Sequence, residues 1–458
     1  MDTVRQGAAP QQVDSAREAE SERGLIGLAA LTLLTGAATG AVATAFRFLL
    51  ERANTLRIAL TTEAHELGVM GFALVVAVTA CLALLAAFLV RRFSPHATGS
   101  GIPHVEAVLH GKISPSGHAL ALVKFVGGLL AIGGGLVLGR EGPSVQMGSA
   151  ISFGIGRMFG CKWADCRVLL AAGAGAGLAT AFNAPIAGAV FVLEELVQRF
   201  EHRIAIAALG AAASAVAVSR MMIGNEPDFL VAPFIEPSLA SWPLFLLLGC
   251  IAGGVAVVYN HSILGALALA DAAKGVPVEV RAALIGAVVG AVAWFAPGLV
   301  GGGDDITQSI LSGSAALAIM PLIFLLRFGL GAASYAAGTP GGLFAPLLVL
   351  GTQIGFLFGA ACRSLPFVVL PAEGFAVVGM AAFFAGVVRA PLTGIVLVGE
   401  MTGSSTLLLA TVVASFAAMM VAALLRDRPI YDALRDRTIR LEARLRAKPG
   451  EPAPQSRL

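Results

Sequence analysis

Residues 139–148 read GREGPSVQMG and residues 181–195 read AFNAPIAGAVFVLEE; their echoes in the second half are GTPGGLFAP at 338–346 and GVVRAPLTGIVLVGE at 386–400. In each half a Gly/Pro-rich break comes first, and an Ala-Pro-x-x-Gly segment ending in Glu follows it. Pro185 pairs with Pro391, Gly188 with Gly394 and Glu194 with Glu400. Pro, Gly and Glu matched in order within apolar sequence mark an internal repeat. Proline disfavours helix in the residue before it and suits the first helical turn, so these segments read as helix breaks and restarts. Duplicated halves with interrupted helices in corresponding places are a transporter pattern, with the binding site where the broken helices meet.

The flanking sequence places the repeat in a membrane. Of 458 residues, 57% are hydrophobic and 13% charged, and mean hydropathy is +0.84. A water-soluble chain carries roughly a quarter of its residues charged. Apolar runs lie at 24–46, 69–90, 117–138, 168–193, 203–219, 241–258, 281–300, 314–330, 343–360, 374–398 and 405–425. Each approaches or exceeds the roughly 20 residues that cross a bilayer core as a helix. Backbone groups in lipid must be paired internally, so an all-α integral membrane protein is expected. Many of the 55 glycines read as packing positions that let helices approach closely.

The expected organisation is a polar N-terminus over 1–23, a transmembrane domain over 24–425 with halves at 24–222 and 241–425, and a basic tail over 426–458. Residues 426–448 carry eight Lys/Arg against four acids, which puts the tail, and with it both termini, on the cytoplasmic side. The N-terminus lacks the pattern of a cleaved signal peptide, so the first apolar run is expected to be retained. A net charge of +3 gives nucleic-acid binding no support. Five scattered cysteines suggest no disulfide framework. Cys161 and Cys166 lack the companions of a metal site, and no HExxH occurs. No cofactor and no enzymatic chemistry are expected.

GSGIP (99–103), GREGP (139–143) and GGLFAP (341–346) each place glycines just before a helix-capable stretch. A helix start offers unpaired N–H groups and partial positive charge, an anion site without full cations. Three such starts without a P-loop favour a halide-sized ligand over a nucleotide. Ionisable residues at membrane depth are expensive and usually functional. Glu141 lies inside GREGP beside Arg140; the plain alternative is an ion pair between the two. Glu194 and Glu195 end a long apolar run, with a cytoplasmic helix end near Arg199 and Arg203 as the alternative. A carboxylate beside an anion site has two states: ionised it blocks the site, protonated it can leave.

Taken together, GSGIP, GREGPSVQMG, FNAPIAGAVFVLEE, GGLFAP and the late PIY (429–431) resemble, in the same order, the ClC chloride channel and transporter family. The resemblance covers about 90–435. It implies a fold of many tilted and broken helices in two inverted repeats, and a homodimer in the cell inner membrane exchanging chloride for protons. Chloride would then be substrate rather than cofactor. By the same resemblance, the Ser100 hydroxyl and Tyr431 phenol hold the central chloride, and backbone N–H groups of Leu343 and Phe344 point at it. Gly101, Ile102, Arg140 and Gly142 fall in the same chloride-binding segments. Glu141 takes the place of the gating glutamate and Glu195 that of the internal proton-transfer glutamate, with Glu194 as its supporting neighbour. The family often has Ile where Leu343 stands, a change a backbone contact tolerates. Ser100 follows the chloride-selective pattern; nitrate-preferring members tend to have Pro there, and fluoride exporters depart from the Ser/Tyr pair. Some members carry C-terminal nucleotide-binding CBS domains, which this sequence does not show.

Two other readings remain. Within the family, a passive or gated anion channel is the alternative, and Glu195 argues for the coupled exchanger. Outside it, Gly301-Gly302-Gly303-Asp304 with Tyr431-Asp432 resembles the paired motifs of an intramembrane aspartyl protease, but in reversed order and without that family's PAL segment. The plainer reading of 301–305 is a polar loop between spans.

Overall fold

The computed structural model describes residues 10–446, apart from 118, 274 and 367, with side chains from 27 to 443. Residues 1–9 of the expected polar N-terminus and 447–458 of the expected tail lie outside the described residues. The helices are α1 (Pro10–Ala64), α2 (Val69–Phe93), α3 (Ile102–Leu109), α4 (Ala119–Gly133), α5 (Glu141–Met158), α6 (Trp163–Ala181), α7 (Pro185–Phe191), α8 (His202–Ile223), α9 (Trp242–Ala272), α10 (Val278–Phe295), α11 (Asp304–Leu311), α12 (Met320–Tyr335), α13 (Phe344–Cys362), α14 (Ala372–Val388), α15 (Pro391–Thr402), α16 (Leu408–Leu424) and α17 (Ile430–Arg446).

Among the described residues, seven helical segments are long and apolar enough to cross a bilayer, on α1, α2, α8, α9, α10, α12 and α13. Leu74, Val78, Leu284 and Val288 are exposed on α2 and α10. In water such a surface would be a liability; against acyl chains it is the matched one.

Several long apolar runs do not become single helices. The run at 168–193 divides into α6 and α7, and that at 374–398 into α14 and α15. The break has the same form each time. Asn183 (φ 49) and Arg389 (φ 69) adopt the left-handed region. Ala184 and Ala390 follow in a non-helical conformation, and Pro185 and Pro391 open the next helix. Pro at a first helical position forfeits no intrahelical bond, because that N–H has no partner anyway.

The helices α1–α8 correspond in order to α9–α16. Helices α3 and α11 each have 8 residues and each follow a left-handed glycine, Gly101 (φ 85) and Gly303 (φ 95). Helix α5 packs on α6 as α13 packs on α14, α1 on α8 as α9 on α16, and α2 on α10 across the halves. At the centre Gly139 and Gly342 exchange both backbone hydrogen bonds, at 2.9 and 2.7 Å. Such a reciprocal pair belongs at a two-fold relation between halves.

Two segments gain structure that composition does not announce. Residues 301–305 are not simply a loop between spans, because Asp304 and Asp305 form the first turn of α11. Residues 430–446, within the expected basic tail, are helical. They form α17, which packs on α3 and buries Ile430, Tyr431 and Leu434. Bulk charge marks the segment as basic, but its first turns carry apolar side chains that need cover.

Candidate functional site

Four helix starts converge on the centre. Helix α3 begins after Ser100-Gly101, α5 begins at Glu141, α13 begins at Phe344, and α17 brings Tyr431 in its first turn. Gly101 is left-handed at the start of α3, which a side chain would strain. A Cβ on Gly142 would meet the Ser100 carbonyl oxygen at 2.5 Å and its hydroxyl at 2.7 Å. The α5 start is thereby pressed against the Ser100 loop, and Gly is required for that approach.

Glu141 is fully buried. Its Oε1 accepts the Phe344 backbone N–H at 2.6 Å, and its carboxylate lies against Gly139 and Gly342. A carboxylate is therefore seated at the N-terminus of α13, where free N–H groups and the helix dipole favour negative charge. The Ser100 and Tyr431 hydroxyls are buried and find no hydrogen-bond partner among the described residues. The Tyr431 ring centroid is 5.8 Å from that of Phe344. Two unspent neutral donors face the same centre as the α13 N-terminus. Leu343 and Phe344 are fully buried, and Leu343 caps the start of α13. Ile102 is buried at the start of α3.

Arg140 is not among the groups turned to this centre. Its guanidinium donates to the Ala181 carbonyl at 2.9 Å, to Asp228 at 3.1 Å and to Asp304 at 3.2 Å. Arg47 meets Asp228 at 2.7 Å. The charge of Arg140 is therefore balanced by the interhalf linker and the α11 start, and the ion pair with Glu141 that stood as the plain alternative is not formed.

Two cavities with no lining residue in common approach the buried centre. One, of about 360 Å³, is lined by Gly139, Arg140, Asp228, Asp304 and Ala345 among others. The other, of about 450 Å³, reaches Ser100 and Gly101 past His96, Tyr335, Arg281 and Arg437. Glu141, Phe344 and Tyr431 line neither and close the space between them.

Glu195 lies away from Glu141, in a π-helical turn, Val192–Val197, that ends at left-handed Gln198. It is buried, and the charged groups around it are Glu106, Asp432, Glu194 and Arg435. Glu194 is turned the other way, with its carboxylate on the start of α15.

Sequence reading missed several buried charges, Glu106, Lys124 and Arg327 among them. Glu106 on α3 is fully buried; it accepts from Gln198 at 3.2 Å and pairs with Arg435, one turn beyond Tyr431. Lys124 on α4 is fully buried and donates to the carbonyls of Ala97 at 2.9 Å and Gly99 at 2.7 Å, so it clamps the loop that carries Ser100. Both were visible as lone charges in apolar stretches, IPHVEAVL and ALALVKFVGG. Arg327 on α12 repeats the clamp in the second half, donating to the carbonyls of Leu299, Gly301 and Gly302.

The family model described as voltage gated chloride channel matches residues 82–423. The chain belongs to the voltage gated chloride channel family. Among its relatives, the H(+)/Cl(-) exchange transporter ClcA of Vibrio cholerae serotype O1 (strain M66-2) is 39% identical over 374 residues, covering 79% of each chain. The ClcA of Citrobacter koseri is 35% identical over 414 residues, covering 89% of this chain and 87% of that one. Among solved structures, a slow cyanobacterial Cl-/H+ antiporter superposes with a TM-score of 0.86 at 29% identity, over 90% of this chain and 98% of that chain. A eukaryotic CLC transporter shares the fold, with a TM-score of 0.77 at 23% identity over 90% of this chain and 74% of that chain. This member of the chloride channel family thus has the CLC fold, all-α, with broken helices in two inverted repeats.

Proposed function

We propose that this protein exchanges chloride for protons across the membrane, with Glu141 as the shared gate. The observation that carries the reading is the Glu141 carboxylate seated on the Phe344 N–H at 2.6 Å, buried between two separate cavities. A carboxylate and a halide want the same thing from that seat: N–H donors and the positive end of a helix. They therefore compete for it. While Glu141 is ionised it fills the seat and blocks passage. Protonation removes its charge, weakens its hold on the helix start, and frees the seat for chloride. Ser100 and Tyr431 supply neutral hydroxyl donors on the side of the larger cavity. They bind a halide without a full cation, so the ion can leave again.

Leu343, Phe344, Gly101, Ile102 and Gly142 contribute through backbone and close packing, and Arg140 acts on the mouth of the smaller cavity through its ion pairs. Glu195 receives the proton on its way to Glu141 from the cytoplasmic side. The relatives named as H(+)/Cl(-) exchange transporters, at 35% to 39% identity, support the coupled reading over a passive channel. The same reading takes chloride and protons as partners in a homodimer in the cell inner membrane, with both termini cytoplasmic.

The test is a reconstituted one. Protein in proteoliposomes, given an outward chloride gradient, should drive protons inward against their own gradient. Chloride efflux without proton movement would return the protein to the channel reading.

A further inference from the structure

The two short helices after the Ala-Pro breaks hold each other by their glutamates. Glu400, near the end of α15, accepts the backbone N–H of Ile186 at 3.1 Å and of Ala187 at 2.8 Å, both in the first turn of α7. Glu194, just past the end of α7, accepts the backbone N–H of Leu392 at 3.1 Å and of Thr393 at 2.7 Å, in the first turn of α15. The Thr393 hydroxyl donates to it as well, at 2.7 Å. Each helix start has N–H groups without an internal partner and a positive dipole end, and each receives a bidentate carboxylate from the other helix. Arg220 donates to Asn183 at the break before α7 and acts on Glu400.

From this geometry we infer that Glu194 and Glu400 are positioning residues for proton transfer, forming a clasp that aims Glu195 inward. The inference rests on the reading of Glu195 as the internal proton site. Glu194 and Glu195 are consecutive in one π-helical turn. Successive side chains on a helical backbone point to different faces, so fixing one fixes the other. With Glu194 anchored on α15, Glu195 is held against the interior, among Glu106, Arg435 and Asp432. Its carboxylate is committed to backbone donors, which argues against Glu194 itself carrying protons. Glu400 lies in the other half of the chain and touches α7 rather than the anion centre. It nevertheless sets the same turn, because it holds the opposite end of α7.

The test compares proton-to-chloride ratios in proteoliposomes for Glu400→Gln, Glu194→Gln and Glu195→Gln, beside chloride binding by calorimetry. Glu400→Gln and Glu194→Gln should lower the ratio alike, roughly tenfold, while chloride affinity stays within about twofold, because Ser100, Tyr431 and Phe344 are untouched. Loss of coupling in Glu194→Gln with normal coupling in Glu400→Gln would assign proton carriage to Glu194 and overturn the clasp. Normal coupling in Glu195→Gln would overturn the reading of Glu195 and the clasp's role with it. Should Glu400→Gln fail to give monodisperse protein, Thr393→Val removes one donor to Glu194 and should lower the ratio in the same direction; an unchanged ratio there overturns the inference.

Discussion

The two halves share a framework and differ at the positions that carry charge. Helix α5 begins with Glu141 where α13 begins with Phe344. The clasp glutamates Glu194 and Glu400 correspond, but the next residue is Glu195 in the first half and Met401 in the second, both buried. The glycine loops before α3 and α11 are clamped by buried cations, Lys124 and Arg327, yet one loop carries the Ser100 hydroxyl and the other ends in Asp304. What the halves hold in common is backbone support: caps, clamps and breaks. What differs is the ionisable chemistry. Symmetry thus builds the seat, and its violation puts a carboxylate in it.

That contrast can be attacked at its strongest point first. Glu141→Gln should abolish proton movement while chloride flux survives, because the amide cannot exchange a proton; surviving proton transport would remove Glu141 from the gate. At the corresponding position, Phe344→Leu should keep exchange, since the N–H that Glu141 uses is backbone. A second pair sits on the proton branch. Glu195→Gln should uncouple protons from chloride with the Glu141 seat intact, whereas Met401→Leu should leave transport unchanged and cost under about 1.5 kcal/mol of stability. Equal loss of coupling in both would mean that the turn's packing, not its carboxylate, matters.

A smaller effect is expected at the halide donors. Tyr431→Ala should weaken chloride binding by about tenfold, the loss of one hydroxyl donor at a buried site, read by calorimetry. An unchanged heat signal would take Tyr431 out of the site. Smallest in transport, but measurable in thermal unfolding, are the clamps. Lys124→Met leaves the Ala97 carbonyl without a donor, since the Gly99 carbonyl still accepts the Gly341 N–H, and Arg327→Met leaves the carbonyls of Leu299, Gly301 and Gly302 without theirs, at about 1–3 kcal/mol for each buried group left unpaired. Arg327→Met should therefore be the less stable protein. Halide affinity should fall only in Lys124→Met, because its loop holds Ser100.

Much of the site was legible because its signals are local. Glycine before a helix, Pro after Ala, and Glu141 or Glu195 inside apolar sequence are read within a few residues. The helix breaks at 183–185 and 389–391 fell where the prolines put them. The boundary at 426 was less legible. Composition marks that segment as basic, while the burial of Ile430, Tyr431 and Leu434 depends on α3, more than 300 residues away in the sequence. The GGGDD segment was ambiguous for the same reason. Its likeness to GSGIP rests on a left-handed glycine and an eight-residue helix, which show in the backbone and not in residue type.

By itself, the sequence determined that the chain lives in lipid, that it is duplicated, and that glycine-led helix starts and carboxylates lie within apolar sequence, since hydropathy and Gly/Pro punctuation act over short range. Only the tertiary structure decided which partners each carboxylate meets. Glu141 found an N–H 203 positions away, Arg140 turned to Asp228 and Asp304 rather than to Glu141, and of two adjacent glutamates one was taken up by α15 and the other left facing the interior. Partner choice among charges depends on geometry through space, and no short-range pattern encodes it.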